Sequence, residues 1–189
     1  MALLTIGPTK LDCRVAKIVE DHATPGLERH LALLTYAADE HVLFAAALGF
    51  WLLARGAGRP QRRAAEYFAL NVAISAALPH ILKKLVDQER PDRRVRGNRN
   101  GVPVSGKAND AFPSGHAVHI GAVVSALSRY FPRWRRLSWS VGGALAVTRV
   151  GLLAHWTTDV LAGLALGIGI ERIAWSVWRR AVHPPGGLD

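Results

Sequence analysis

The chain is short of cysteine, of acidic residues and of unbroken apolar runs, and each shortage narrows what it can be. Cys13 is its only cysteine, so it forms neither an intrachain disulfide nor a cysteine metal cluster. Asp and Glu number 14 against 24 Lys and Arg, a net charge of +10 at pH 7. That excess calls for an anionic partner. With 50% hydrophobic residues, an anion that is also apolar, such as a phospholipid, fits best. Nucleic acid is set aside. The arginines lie in connections between apolar blocks, and there is neither zinc-finger spacing nor an aromatic-studded basic surface. The start, MALLTIGPTKLDCR, has no charged segment followed by a long apolar run, so it does not read as a secretory signal peptide. Strand signals are weak, and no internal repeat or low-complexity tract stands out.

What is present is a series of Ala- and Leu-rich blocks. Residues 1–40 read as an N-terminal amphipathic helical segment, broken at Pro25-Gly26. Residues 41–182 carry five apolar blocks: VLFAAALGFWLLA (42–54), YFALNVAISAALPHIL (67–82), AVHIGAVVSALS (117–128), LSWSVGGALAVT (137–148) running on through Arg149 to Leu153, and VLAGLALGIGI (160–170) running on through Glu171 and Arg172 to Trp178. Residues 183–189 form a C-terminal tail. Most of the blocks fall short of the ~20 residues that span a bilayer. Four features nevertheless point to the membrane. Gly163 and Gly167 have the small-xxx-small spacing of packed membrane helices. Trp51, Trp134, Trp139, Trp156, Trp175 and Trp178 sit near block ends, as in an aromatic belt. The charges that interrupt the blocks can face a bundle interior or snorkel. Finally, the arginines are distributed asymmetrically.

Arg55, Arg59, Arg62 and Arg63 lie in the first connection, Arg129, Arg133, Arg135 and Arg136 in the third, and Arg179 and Arg180 near the end. If every block spans, all of these share one side, and the positive-inside rule makes that side cytoplasmic. The expected fold is therefore all-α, a membrane-embedded bundle of about five transmembrane helices in a bacterial-type inner (plasma) membrane. The connection 83–112, the PSGH turn and the corner 154–159 then meet on the extracytoplasmic side.

Three sets of polar residues converge there. Lys83 and Arg90 are seven apart in KKLVDQERP; alone they also read as solvated cations. Pro113, Ser114, Gly115 and His116 open an apolar block. A helix N-terminus turns free N–H groups toward an anion, and Gly115 lets that anion approach the backbone. By itself, Ser114 also reads as a simple N-cap. In TRVGLLAHWTTD, His155 and Asp159 are four apart. On one helix face Asp159 would accept the Nδ1 proton of His155, leaving Nε2 as a nucleophile or base. The plain alternative is a satisfied polar pair, with Arg149 as a helix charge.

Taken together, K-x6-R-P, P-S-G-H and [S/T]-R-x5-H-x3-D, in this order, resemble the type 2 phosphatidic acid phosphatase superfamily, which includes bacterial lipid phosphatases and vanadium haloperoxidases. The resemblance runs from Lys83 to Asp159. Thr148 stands where the family usually has serine, and keeps a hydroxyl. The resemblance implies that Lys83, Arg90 and Arg149, with Ser114 and Gly115, cradle a phosphate. It implies that His155 attacks phosphorus, that Asp159 orients His155, and that His116 serves as acid and then base. It implies no metal and no cofactor. The substrate would be a membrane lipid phosphate: undecaprenyl diphosphate, phosphatidate, phosphatidylglycerol phosphate or a lipid A phosphate. A soluble acid phosphatase or haloperoxidase with the same cradle is one alternative, and a non-catalytic scaffold or lipid transporter another. His80 and His119 read as packing or interfacial histidines, and residues 93–110 as either a recognition lid or a surface loop. The oligomeric state stays open.

Overall fold

A computed structural model describes residues 3–95 and 107–182. Most of the 93–110 segment and the 183–189 tail lie outside the described residues. The elements are β1 (Leu4–Thr5), α1 (Lys10–His22), α2 (Pro25–Thr35), α3 (Glu40–Ala54), α4 (Arg59–Leu85), β2 (Val86–Asp87), α5 (Pro91–Val95), α6 (Gly115–Tyr130), α7 (Arg135–Gly151) and α8 (Thr157–Val182). The helices start where local chemistry favours it. Thr9 and Asp12 form a reciprocal capping box at α1, Thr24 caps α2 with Pro25 in its first turn, and Asp39 caps α3. A short 3-10 turn, Tyr36–Ala38, joins α2 to α3.

The five apolar blocks become α3, α4, α6, α7 and α8. Pro25–Ala54, Arg59–Leu85 and Thr157–Val182 are each long and apolar enough to cross a membrane. At 1.5 Å per residue, α6 and α7 are about 24 and 26 Å long and complete the bundle. The bundle is apolar on its outside. Leu53, Val147 and Ile173 are 82, 64 and 68% exposed, a surface that suits hydrocarbon rather than water. The chain is an integral membrane protein.

At the centre, α6 packs on α4, α7 and α8. Its contact with α8 is backbone-close because of glycine. A Cβ on Gly163 would stand 2.7 Å from the Ser114 carbonyl, and one on Gly167 would overlap the Val118 carbonyl. The small-xxx-small spacing is therefore a packing seam. Both helices start at the same end of the bundle.

Two expectations need correction. Arg59, Arg62 and Arg63 lie within the first turns of α4, Arg129 in the last turn of α6, and Arg135 and Arg136 in the first turn of α7, rather than in connections. α4 starts early because Gly58 and Pro60 suit a helix start. Trp156 belongs to no aromatic belt. It is 1% exposed, and its indole N–H donates to the Glu89 carbonyl at 2.7 Å.

Candidate active site

The C-terminal end of α4, the segment after it, the start of α6 and the corner between α7 and α8 meet at one end of the bundle. They enclose a cavity of about 290 Å³ whose lining includes Lys83, Arg90, Gly115, His116, Arg149 and His155. Two residues of the expected set, Ser114 and Asp159, are buried behind them.

The corner places His155. α7 ends at Gly151, and Leu153 takes a left-handed backbone at φ 53°, a conformation strained for a leucine. The reversal lets the N–H groups of Ala154 and His155 both return to the Arg149 carbonyl, at 3.1 and 3.2 Å. The arginine and the histidine are thereby held together. The Asp92 N–H donates to the Leu153 carbonyl at 3.0 Å, and Trp156 reaches Glu89, so the corner is pinned onto residues 89–92.

The proton of His155 has a different acceptor from the one expected. Nδ1 donates to the Ala111 carbonyl at 2.7 Å, while the nearer Asp159 oxygen is 3.9 Å away. The reason is the helix boundary. α8 begins at Thr157, so His155 precedes the helix and the four-residue spacing does not set the two side chains on one face. Asp159 Oδ2 instead accepts the Trp156 N–H at 2.8 Å. Burial, reinforced by Arg90, Arg149 and Lys83, holds the His155 imidazole well below the usual histidine range. It is neutral, with Nδ1 carrying the proton and Nε2 keeping its lone pair.

The cations are differently placed. Arg90 is 4% exposed; its Nη1 donates to the Ala154 carbonyl at 3.0 Å, and its Nε and Nη2 reach Asp110 Oδ1 at 2.9 and 2.8 Å. Lys83 approaches the other oxygen of Asp110 at 3.7 Å. Arg149 donates to Thr35 Oγ1 at 3.3 Å, and its buried Nε has no partner among the described residues. Ser114 stands at the N-cap position of α6, but its hydroxyl makes no capping bond and is buried without a partner among the described residues. A simple N-cap does not account for it. Gly115 is open: a Cβ there would meet only Pro79, at 3.7 Å.

Other residues singled out lie as follows. Thr148 turns back onto its own helix, donating to the Leu145 carbonyl at 2.6 Å. His80 pairs with Glu40 at 3.0 Å on the cavity rim. The Nδ1 of His119 lies 3.4 Å from the Ala38 carbonyl, and this residue lines both the cavity and a second, apolar groove of about 290 Å³ between α3, α6 and α7. Sequence reasoning missed Asp110, although it opens the stretch DAFPSGH. It also missed Asp12, whose carboxylate, 1% exposed, accepts the Thr158 N–H and hydroxyl at 3.0 and 2.8 Å. Burial raises the Asp12 pKa, but these bonds and those from Thr9 outweigh it and hold the group below its ordinary value. Among the described residues, no three His, Cys, Asp or Glu side chains are grouped to hold a metal ion.

Residues 64–182 match the sequence profile of the PAP2 superfamily. The chain belongs to that superfamily. Among its PAP2 relatives is the lipid A 1-phosphatase of Rhizobium johnstonii, 35% identical over 116 residues, 60% of this chain and 48% of that protein. The Rhizobium etli lipid A 1-phosphatase is 38% identical over 103 residues, 53% of this chain and 44% of that one. Phosphatidylglycerophosphatase B of Bacillus subtilis is 28% identical over 102 residues, 48% of this chain and 46% of that one. The chain thus spans about half the length of these curated relatives. The PAP2 fold itself recurs in solved structures. The transmembrane PAP2-type phosphatidylglycerolphosphate phosphatase of Bacillus subtilis superposes with a TM-score of 0.66 at 17% identity, over 92% of this chain and 87% of that one. Aquifex aeolicus LpxE superposes with a TM-score of 0.64 at 15% identity, over 89% and 96%.

Proposed function

We propose that this PAP2 chain hydrolyses the phosphate of a membrane lipid. The observation that carries the reading is the meeting of two cavities at His119: one lined by Lys83, Arg90, Arg149 and His155, the other apolar. The first suits a phosphate and the second a lipid chain. The cations and the α6 N-terminus, with Ser114 and Gly115, hold the phosphate oxygens. The Nε2 lone pair of His155 attacks phosphorus, and the bond to the lipid oxygen breaks. His116 takes up a proton with the arriving phosphate and gives it to that oxygen. The resulting phosphohistidine carries positive charge, which the Ala111 carbonyl and the Asp159 carboxylate stabilise. His116, now neutral, takes a proton from water; the water oxygen attacks phosphorus, and the N–P bond electrons return to Nε2. The residues in hand supply every proton transfer, so the reaction is metal-independent in this reading.

The arginine-rich helix ends lie opposite the cavity, which supports an extracytoplasmic site. Residues 41–182 form the phosphatase unit, with 1–40 docked against it. The names of the two Rhizobium relatives make lipid A 1-phosphate the first substrate to try. In detergent, with EDTA present, phosphate release is expected from at least one of lipid A, phosphatidylglycerol phosphate, phosphatidate and undecaprenyl diphosphate, with vanadate competing. No release from any of them, or release only after Mg²⁺ is restored, would overturn the reading.

A further inference from the structure

At the other end of the bundle, α4 begins where α6 and α8 finish. A separate cavity of about 360 Å³ lies there, lined by Arg59 and Arg63 of α4, Tyr130 of α6, and Trp175, Trp178 and Arg179 of α8 among others. Arg59 and Arg63 are four apart and share a helix face, as do Trp175 and Arg179. No carboxylate lines this cavity. Among the described residues, no ion pair engages any of the three arginines. Arg129 is different: it is already neutralised by Glu171, at 2.8 and 3.0 Å, and lies over the Trp175 ring at 4.8 Å.

The aromatic wall is set in advance. Tyr67 meets Trp175 edge-on at 5.3 Å and donates its hydroxyl to Glu171 at 2.9 Å. Tyr130 meets the same indole at 6.0 Å. Three like charges brought to one cavity repel each other unless an anion joins them. The rest of the lining forms an apolar face, made by Ala64, Trp175, Trp178 and Val182. A ligand here carries an anionic group for the arginines and a hydrocarbon part for that face.

We propose that this cavity binds the headgroup phosphate of an anionic phospholipid in the leaflet opposite the catalytic cavity. The guanidinium groups fork onto the phosphodiester oxygens, the indoles sit at headgroup level, and an acyl chain follows α8. The ligand is a resident lipid and is not turned over, so the site stands apart from the catalytic reading.

Native mass spectrometry of the full chain in neutral detergent tests this with dioleoylphosphatidylglycerol, dioleoylphosphatidylcholine and inorganic phosphate. The wild-type chain is expected to retain phosphatidylglycerol over phosphatidylcholine. Each arginine contributes about fivefold to that preference. Arg63→Gln should therefore lower it about fivefold, and the combined Arg59→Gln, Arg63→Gln and Arg179→Gln variant should remove it. Equal retention of the two lipids by the wild type, or an undiminished preference in the triple variant, would overturn the proposal. Displacement of phosphatidylglycerol by inorganic phosphate would also overturn it, since the site would then be one for the free anion. The wild-type comparison and Arg63→Gln decide the matter even if the triple variant does not fold.

Discussion

The main polar clusters at the two ends of the bundle are satisfied to different degrees. Glu171 is 0% exposed, and Tyr67, Ser125 and Arg129 all donate to its carboxylate, at 2.8 to 3.0 Å. At the end that holds His155, Ser114 Oγ, Arg149 Nε and His119 Nε2 are buried with no partner among the described residues. A closed network of this kind stabilises the folded chain once formed, and breaking it is costly. An open one lowers stability and keeps polar groups free for a ligand. The family motifs lie at the open end. Substitutions there should therefore strike turnover, and substitutions at the closed end should strike stability.

The largest contrast is expected from the histidines. His155→Ala should reduce turnover by at least about 10⁴-fold whatever the leaving group, far beyond what its loss of the bond to Ala111 costs in stability. His116→Ala should lose about 10²–10⁴-fold with a poor leaving group. With p-nitrophenyl phosphate, quenched flow should show a burst of p-nitrophenol and then slow turnover, because the leaving group needs no acid while dephosphorylation still needs a base. A burst in His155→Ala instead would reverse the two roles.

Glu171→Ala should break the comparison from the other side. It leaves the Tyr67 and Ser125 hydroxyls without their acceptor and Arg129 without its carboxylate, at a cost of about 2 kcal/mol in unfolding free energy. Turnover per folded molecule should stay within about twofold. A specific-activity loss as large as its stability loss would show that the two ends are not separable.

Ser114→Ala sharpens the contrast within one residue. Losing a charge-assisted bond to phosphate should lower kcat/KM about tenfold. Stability should hold or rise, because the substitution removes a buried hydroxyl that has nothing to bond. A marked drop in melting temperature would mean that the hydroxyl does structural work after all.

The smallest effect concerns pH. With the His155 pKa depressed, the imidazole stays neutral as pH falls through the usual histidine range. The burst rate with p-nitrophenyl phosphate should remain flat from pH 8 to 5.5. An unshifted histidine near 6.5 would lose about tenfold over the same interval.

The blocks and motifs that depend on residue type and spacing were legible in the sequence. The five apolar segments became helices, and Lys83, Arg90, Gly115, His116, Arg149 and His155 line one cavity. What escaped depends on backbone geometry or distant contact. Leucine gives no sign of a left-handed backbone, so the reversal at Leu153 was hidden, and with it the transfer of the His155 proton to Ala111. Asp110 stood in plain view, but its carboxylate gains meaning only when β2 and the loop after it bring Arg90 alongside. The approach of Thr35 to Arg149 spans 114 positions, and no local pattern announces it. Trp156 resembled its belt-like fellows because burial is not written in a residue's distance from a block end.

The docking of Asp12 on Thr158 bears on how the molecule is made. The two are 146 positions apart, and β1 pairs with β2, about eighty residues along. At roughly 5–20 residues per second, synthesis leaves Asp12 waiting about 7–30 s for its partner. α1 is thus among the last of these helices to settle, and it closes over the corner that leads into α8. A chain stalled before α8 presents neither a finished cavity end nor a docked α1, so the two are completed by the same stretch of synthesis.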